Sequence, residues 1–173
     1  MDNSFLTVPS NKYKKSFEEY VAAYKSANNS YYFNKYKKGI DNFSGYLDDL
    51  DNYSKGIELP DGWVTTSTFW LIDSNEVVGV VRVRHQDAST DGHIGYDISP
   101  NQRNKGYGYQ ILKLALVEAK KMNIKEVMVT CNTGNEFSKK IIIKNNGKLV
   151  GTVFDEEENE SLYKYKISTS DNK

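Results

Sequence analysis

The sequence predicts a single mixed α/β domain, on three observations. Its 173 residues suit one domain. Apolar residues recur at helical spacing up to about residue 60, then alternate or run together as in strands. In the middle of the chain a strand, a glycine-bearing turn, an amphipathic helix and a second strand follow one another, which is the order of a parallel crossover. A chain of this size buries roughly two-thirds of its unfolded surface, enough for a core without staples.

The elements follow in chain order. Pro9-Ser10 starts a helix whose buried face is Phe17, Tyr20, Val21 and Tyr24, and Asn28-Asn29 stops it. A second helix is predicted over residues 42–53, capped by Asp41, with Phe43, Tyr46, Leu47 and Leu50 as its apolar stripe. Leu59-Pro60-Asp61-Gly62 is a turn. Residues 65–72 and 77–85 form a hairpin around Asp73-Ser74-Asn75, with one buried face carrying Val81 and Val83 against Arg82 and Arg84. A strand over 93–99 ends at Pro100, and a helix runs over 107–122. A buried strand (126–131), a helix (135–144) and two closing strands (149–154 and 162–167) complete the domain. Residues 1–168 thus read as one domain, with a helical part (1–60) and a sheet-bearing core (61–168). Residues 169–173 read as a disordered tail.

Composition excludes several classes of function. The 23 basic and 23 acidic side chains balance, so the chain lacks the basic excess of a general nucleic-acid binder. One cysteine makes neither an internal disulfide nor a zinc cage, and suits a reducing compartment. No apolar run approaches the roughly 20 residues of a membrane span, and the N-terminus lacks the apolar region of a signal peptide. The expectation is a cytoplasmic protein, monomeric or homodimeric, with no metal, nucleic-acid or membrane partner. The 13 tyrosines against 2 tryptophans are a surplus that genome composition alone can explain.

The informative segment is Tyr96 to Tyr109, YDISPNQRNKGYGY. Glycines at alternate positions of a helix start let a ligand approach backbone N–H groups that have no intrahelical partner, where the helix dipole favours an anion such as a pyrophosphate. Arg103 and Lys105 add positive charge. A plain helix N-terminus with a loop glycine fits the glycines equally well. A dinucleotide fingerprint fails because its third glycine would fall at Ile111, and a P-loop fails because no Gly-Lys-Ser/Thr follows.

Arg103-x-x-Gly106-x-Gly108, after a strand ending at Pro100 and before an amphipathic helix, resembles the acetyl-CoA-binding motif of the GNAT N-acetyltransferase superfamily. The likeness covers roughly residues 63–167. The stretch GHIGYDISPNQRNKGYG, with TSTFWLID upstream and an Asn-x-x-Ser helix downstream, is similar to a bacterial subgroup of predicted acetyltransferases. The resemblance implies a GNAT-like fold: a central mixed, mostly antiparallel sheet, one β-α-β crossover, and a splayed pair of strands that holds CoA. It implies acetyl-CoA as co-substrate and a primary amine of a small molecule, peptide or protein as acceptor, attacking directly in a ternary complex. Carried over, the pantetheine arm concerns Tyr96, Asp97 and Ile98. The pyrophosphate concerns Arg103, Asn104, Lys105, Gly106, Tyr107, Gly108 and Tyr109. Asn135 matches the asparagine that bonds the CoA arm, and it also suits a helix cap. Ser138 matches the small residue one turn later.

The chain departs from the family at the acid/base positions. Ile142 stands where many members carry a tyrosine acid, Thr130 where ribosomal-protein-type members carry a glutamate base, and Asn146-Gly147 where Gly-Phe is usual. The remaining candidates are His85 and His93, brought close by an antiparallel hairpin and suited to deprotonating an amine, and Asp97 and Tyr96, acting through water. Arg82 and Arg84 read as solvated or as contacts to an acidic acceptor group. Trp63, Phe69 and Trp70 read as packing or as part of the acceptor pocket, Cys131 as an inert small hydrophobe, and 155–158 as a solvated acidic loop or as an attractor of a cationic acceptor. Two rival readings stand beside the enzyme: a catalytically weak acyl-CoA sensor or structural module of the same fold, and an unrelated α/β domain with a chance Arg-x-x-Gly-x-Gly.

Overall fold

The computed structural model describes residues 3–170. In chain order it contains β1 (Phe5–Thr7), a 3-10 turn (Asn11–Tyr13), α1 (Lys14–Ser26), α2 (Ser30–Asp41), α3 (Phe43–Ser54), β2 (Thr66–Asp73), β3 (Glu76–Arg84) and β4 (Ile94–Ile98). A second 3-10 turn (Pro100–Gln102) leads to α4 (Tyr107–Lys121), β5 (Glu126–Asn132), α5 (Glu136–Lys144), β6 (Lys148–Asp155) and β7 (Glu160–Ser168). The strands form two antiparallel sheets, ordered β1-β2-β3-β4 and β5-β7-β6.

Two elements lay hidden from the pattern. α2 follows directly on the Asn28-Asn29 stop, because Asn29 is itself a cap whose side chain accepts from Tyr32 N. Only Tyr36 and Gly39 of α2 are fully buried, and its stripe is tyrosine rather than aliphatic, so it reads as polar. β1 is three residues long and exists only by pairing with β2, Phe5 opposite Ile72. The cap of α3 is Asn42 rather than Asp41, its side chain accepting from Gly45 N at 3.0 Å. At the C-terminus order runs past the expected tail start: Thr169 is buried, and its hydroxyl donates to Ile124 O at 2.9 Å. Positions 171–173 lie outside the described residues.

The β2–β3 hairpin is covered on both faces, not one. Leu71, Val81 and Val83 pack with Ile111, Leu112 and Leu116 of α4. On the other face Trp70, Ile72 and Val80 pack with Phe17, Val21 and Tyr24 of α1. Phe17 is the centre of this second layer, stacked on Trp70 with ring centroids 4.7 Å apart and on Tyr46 at 5.4 Å. The tyrosine surplus therefore has a structural use: Tyr13, Tyr20, Tyr24, Tyr36 and Tyr46 are all buried in the helical layer. A buried tyrosine brings apolar area together with a hydroxyl that needs a partner.

β4 and β5, the strands flanking the crossover helix, barely touch. They meet where His93 N donates to Met128 O at 2.7 Å and Met128 N donates to His93 Nδ1 at 2.9 Å. Among the described residues no other backbone hydrogen bond links the two. The sheet is thus split at this seam, and the site opens from it.

Candidate active site

β4 is an edge strand with β3 on one side only. Ser99 N donates to Val78 O, which places the Ser99–Val78 position among the hydrogen-bonded pairs of the ladder. In an antiparallel pair such positions alternate with non-bonded ones. Asp97 (opposite Val80) therefore spends its N–H on β3, while the N–H groups of Tyr96 (opposite Val81) and Ile98 (opposite Gly79) face the open edge. A cavity of about 540 Å³ occupies the seam, lined by Tyr96 on one side and by Val129, Cys131 and Asn132 of β5 on the other. Asn135, Ser138 and Ile142 close it from α5.

The side chains of β4 divide by face. Tyr96 and Ile98 pack against the α4 core. The Tyr96 hydroxyl is buried yet has no hydrogen-bond partner. Burial raises its pKa, and the Ser138 side chain, beyond hydrogen-bond distance, acts as a donor toward it and opposes that rise in part, so the phenol keeps its proton and has no close acceptor for it. Asp97 points into the helical layer instead. Its Oδ2 accepts from Tyr20 Oη and, at 2.7 Å, from Tyr24 Oη, while its Oδ1 accepts from Tyr36 Oη at 2.6 Å and from Arg82 Nη2 at 3.1 Å. Arg82 Nη1 also donates to Tyr36 Oη at 2.8 Å. Desolvation and the negative charge of Asp97 hold the Tyr20 and Tyr24 hydroxyls protonated. With four donors on its carboxylate, Asp97 has no lone pair aimed at the cavity and is a structural hub, not a base. Arg82, expected in solvent, is the buried counter-ion of that hub.

The turn before α4 carries the motif. Asn104 and Gly106 both adopt left-handed backbone, φ 62° and 85°, and Gly106 is the N-cap of the helix. Arg103 and Lys105 stay at the surface, donating to Ile98 O and Gln102 Oε1. Tyr107, Gly108 and Tyr109 offer first-turn N–H groups, orphaned as in any helix. Alternating backbone of this kind forms a concavity suited to phosphate oxygens. Gly108 also lies against α5: a Cβ there would stand 2.6 Å from Ile141 Cδ1, so that side chain would have to shift. Tyr107 anchors the turn by donating to Asp73 Oδ2 at 2.6 Å, and Tyr109 lies under Lys144, 4.5 Å from ring centroid to Nζ.

Asn135 caps α5, its Oδ1 accepting from Ser138 N at 3.1 Å, and still lines the cavity. The cap uses the oxygen of the amide and leaves its NH₂. The histidines are elsewhere. His93 is the clip of the β4–β5 seam, its Nδ1 occupied by Met128 N, and burial lowers its pKa. His85 Nε2 bonds Ser67 Oγ at 2.8 Å. Neither ring lines the cavity. Thr130 is tied to the loop before β4, its hydroxyl donating to Thr90 O. Cys131 does face the cavity, but burial pushes its thiol up, away from the thiolate.

Of the outer part of the cavity, sequence reasoning singled out Arg84 and the acidic run 155–158 but not α2. That outer part is formed by Tyr31, Tyr32 and Lys35 of α2, Arg84 of β3, Asp91 of the loop before β4, and the acidic β6–β7 turn, Asp155, Glu157, Glu158 and Glu160. The signal was present in α2, but a tyrosine stripe without aliphatic residues does not read as a helix. Among the described residues no helix is long and apolar enough to cross a membrane, and no group of three or more His, Cys, Asp or Glu gathers to hold a metal ion.

Comparison with known proteins agrees with this architecture. Residues 17–148 match the family model of an acetyltransferase (GNAT) domain. No protein of curated function matches by sequence. Among solved structures, the ribosomal-protein-S5-alanine acetyltransferase from Vibrio fischeri is similar at 15% identity, over 100% of this chain and 97% of that one, with a TM-score of 0.73. The microcin C7 self-immunity acetyltransferase, solved with acetyl-CoA and AMP, is similar at 15% identity over 97% and 93%, with a TM-score of 0.71. An acetyltransferase from Salmonella typhimurium, which modifies the N-terminal serine of ribosomal protein L7/L12, is similar at 14% identity over 94% and 93%, with a TM-score of 0.67. At these identities the likeness is one of fold.

Proposed function

The chain belongs to the acetyltransferase (GNAT) domain family, and from that premise we propose that it transfers acetyl from acetyl-CoA to the primary amine of an acceptor, both held in the β4–β5 seam. The observation that carries the proposal lies within the seam: the N–H groups of Tyr96 and Ile98 face an open strand edge, beside a buried Tyr96 hydroxyl that has no close hydrogen-bond partner. These groups fit the co-substrate. The N–H groups of Tyr96 and Ile98 match an extended amide-bearing arm, the turn Arg103–Gly108 matches a pyrophosphate, and the Asn135 amide adds a donor.

Acetyl-CoA supplies the activated acyl group. The open-edge N–H groups hold and polarise its carbonyl. The neutral amine attacks and the N–C bond forms, the C–S bond breaks, Tyr96 Oη gives its proton to the departing sulfur, and the proton that nitrogen loses as the amide forms returns through water to the Tyr96 phenolate. Tyr96 thus takes the role that Ile142 does not offer on α5. With both histidines outside the cavity, the amine loses its proton to solvent water before attack. Positioning of the two substrates supplies much of the acceleration.

Release of free thiol from acetyl-CoA, measured against a panel of primary amines, tests the reading. Turnover with at least one amine is the expected result. Tight acetyl-CoA binding with no thiol release from any amine would favour the sensor, and no binding at all would overturn the site.

A further inference from the structure

Resting on that reading, we propose that the acceptor is a small amine that also carries an oxyanion, bound by Lys35 and Arg84 in a side pocket of the acceptor cavity. Arg82 and Arg84 stand two apart on β3, but only Arg82 is neutralised, by Asp97. Among the described residues the guanidinium of Arg84 has one partner, the carbonyl of Asp91 at 3.1 Å, which leaves most of its five donors unused. Lys35 makes no ion pair or hydrogen bond there, and its ammonium lies 5.7 Å from the Tyr31 ring centroid. Both cations line the main cavity and also an adjoining pocket of about 230 Å³, walled by Trp63 and Tyr31.

Two cations crowded into one small pocket repel each other. Lys35 is exposed as a residue, yet partial desolvation, then the charge of Arg82, bring its ammonium down to about 8; Asp97 opposes this and Arg84 adds to the repulsion. The Asp91 carboxylate opposes this only in part, acting on both cations. A bound oxyanion relieves the repulsion, and the Arg84 fork suits a carboxylate or phosphate.

The opposite wall has the other sign. The β6–β7 turn presents Asp155, Glu157, Glu158 and Glu160, of which Asp155 is engaged by the N–H groups of Glu157 and Glu158, and Glu160 by Asn132. The cavity is thus basic on one side and acidic on the other. An amine arrives largely as ammonium and is drawn to the acidic wall, while a second group of negative charge is drawn to Lys35 and Arg84. A diamine would have to place a cation in the basic pocket.

The test measures thiol release by the full chain from acetyl-CoA with four amines of matched length: a monoamine, a diamine, an amino-carboxylate and an aminoalkyl phosphate. We expect kcat/KM about tenfold or more higher for one or both oxyanion-bearing amines. Which of the two leads identifies the oxyanion. Arg84→Gln should raise KM for those amines about tenfold, leaving the monoamine and the acetyl-CoA Kd unmoved. Lys35→Gln removes no hydrogen bond or ion pair of the fold, only the contact with the Tyr31 ring, and should shift KM the same way by less. Equal rates for charged and uncharged amines, a preference for the diamine, or an Arg84→Gln that lowers all four alike would overturn the subsite while leaving the transferase reading standing. Failure to bind acetyl-CoA would strike that reading itself.

Discussion

Tyr96 and Asp97 are neighbours on one strand, Asp97 buried and Tyr96 half-buried with its hydroxyl enclosed, and their surroundings are opposite. Asp97 receives four hydrogen bonds from Tyr20, Tyr24, Tyr36 and Arg82. Tyr96 Oη has no partner within hydrogen-bond distance, Ser138 being the polar side chain nearest to acting on it. Because alternate residues of a strand face opposite ways, the two look into different layers, one into a helical core and one into a seam. A buried ionised carboxylate ringed by donors is what a stable interior requires, since an unpaired one would be very costly. A buried hydroxyl without a partner costs stability and is kept where a ligand supplies the missing contact. The pair separates structure from site more sharply than residue type does, since an aspartate is the more familiar catalytic group.

The largest effect expected from breaking this contrast is on the satisfied side. Asp97→Ala leaves the Arg82 guanidinium and the Tyr36 hydroxyl without their carboxylate, while the Tyr20 and Tyr24 hydroxyls keep the backbone carbonyls of positions 97 and 98 within reach, and should cost about 3–5 kcal/mol in chemical denaturation, or prevent folding. On the other side Tyr96→Phe removes an unpaired hydroxyl. Its stability should change by less than about 1 kcal/mol, while kcat should fall about 100-fold or more, read by thiol release. A Tyr96→Phe enzyme with full kcat would place the proton donor elsewhere.

His93 sharpens the comparison through pH. Its Nδ1 accepts from Met128 N only when neutral, and burial holds its pKa below the usual 6.5. Between that lowered value and about 6.5 the unfolded chain binds more protons than the native one, so stability is lost as pH falls through this window. His93→Gln should flatten the melting temperature against pH there, with a share from His85 remaining, because desolvation lowers that ring too. Asn135→Ala should have the smallest effect. It loses a cap worth about 1 kcal/mol, and acetyl-CoA affinity should drop beyond what that loss explains.

The chain made some of this legible and concealed the rest for physical reasons. β2 to β7, α4 and α5 were readable because aliphatic periodicity and turn residues mark them, and the Gly106 turn because its spacing is unusual. α2 was not, because its buried face is Tyr32 and Tyr36 and its cap is the asparagine that looks like a stop. The fate of Asp97 was hidden with it. Tyr20 and Tyr24 of α1 and Tyr36 of α2 lie 61 or more residues away in sequence, and no local pattern joins them to the strand. Arg82 and Arg84 looked equivalent on β3, and only the helical layer above distinguishes the buried counter-ion from the cation left at the cavity. The histidines were singled out for their pKa range, yet backbone at the seam claims one and Ser67 the other.

The most direct test of the account is amide hydrogen exchange along β4 with and without acetyl-CoA. The N–H groups of Tyr96 and Ile98 face the open edge, whereas that of Asp97 is paired with β3. Saturating acetyl-CoA should slow exchange at Tyr96 and Ile98 strongly and leave Asp97 nearly unchanged. Unchanged exchange at both open-edge residues in a sample that binds acetyl-CoA would contradict the seam as the acyl site.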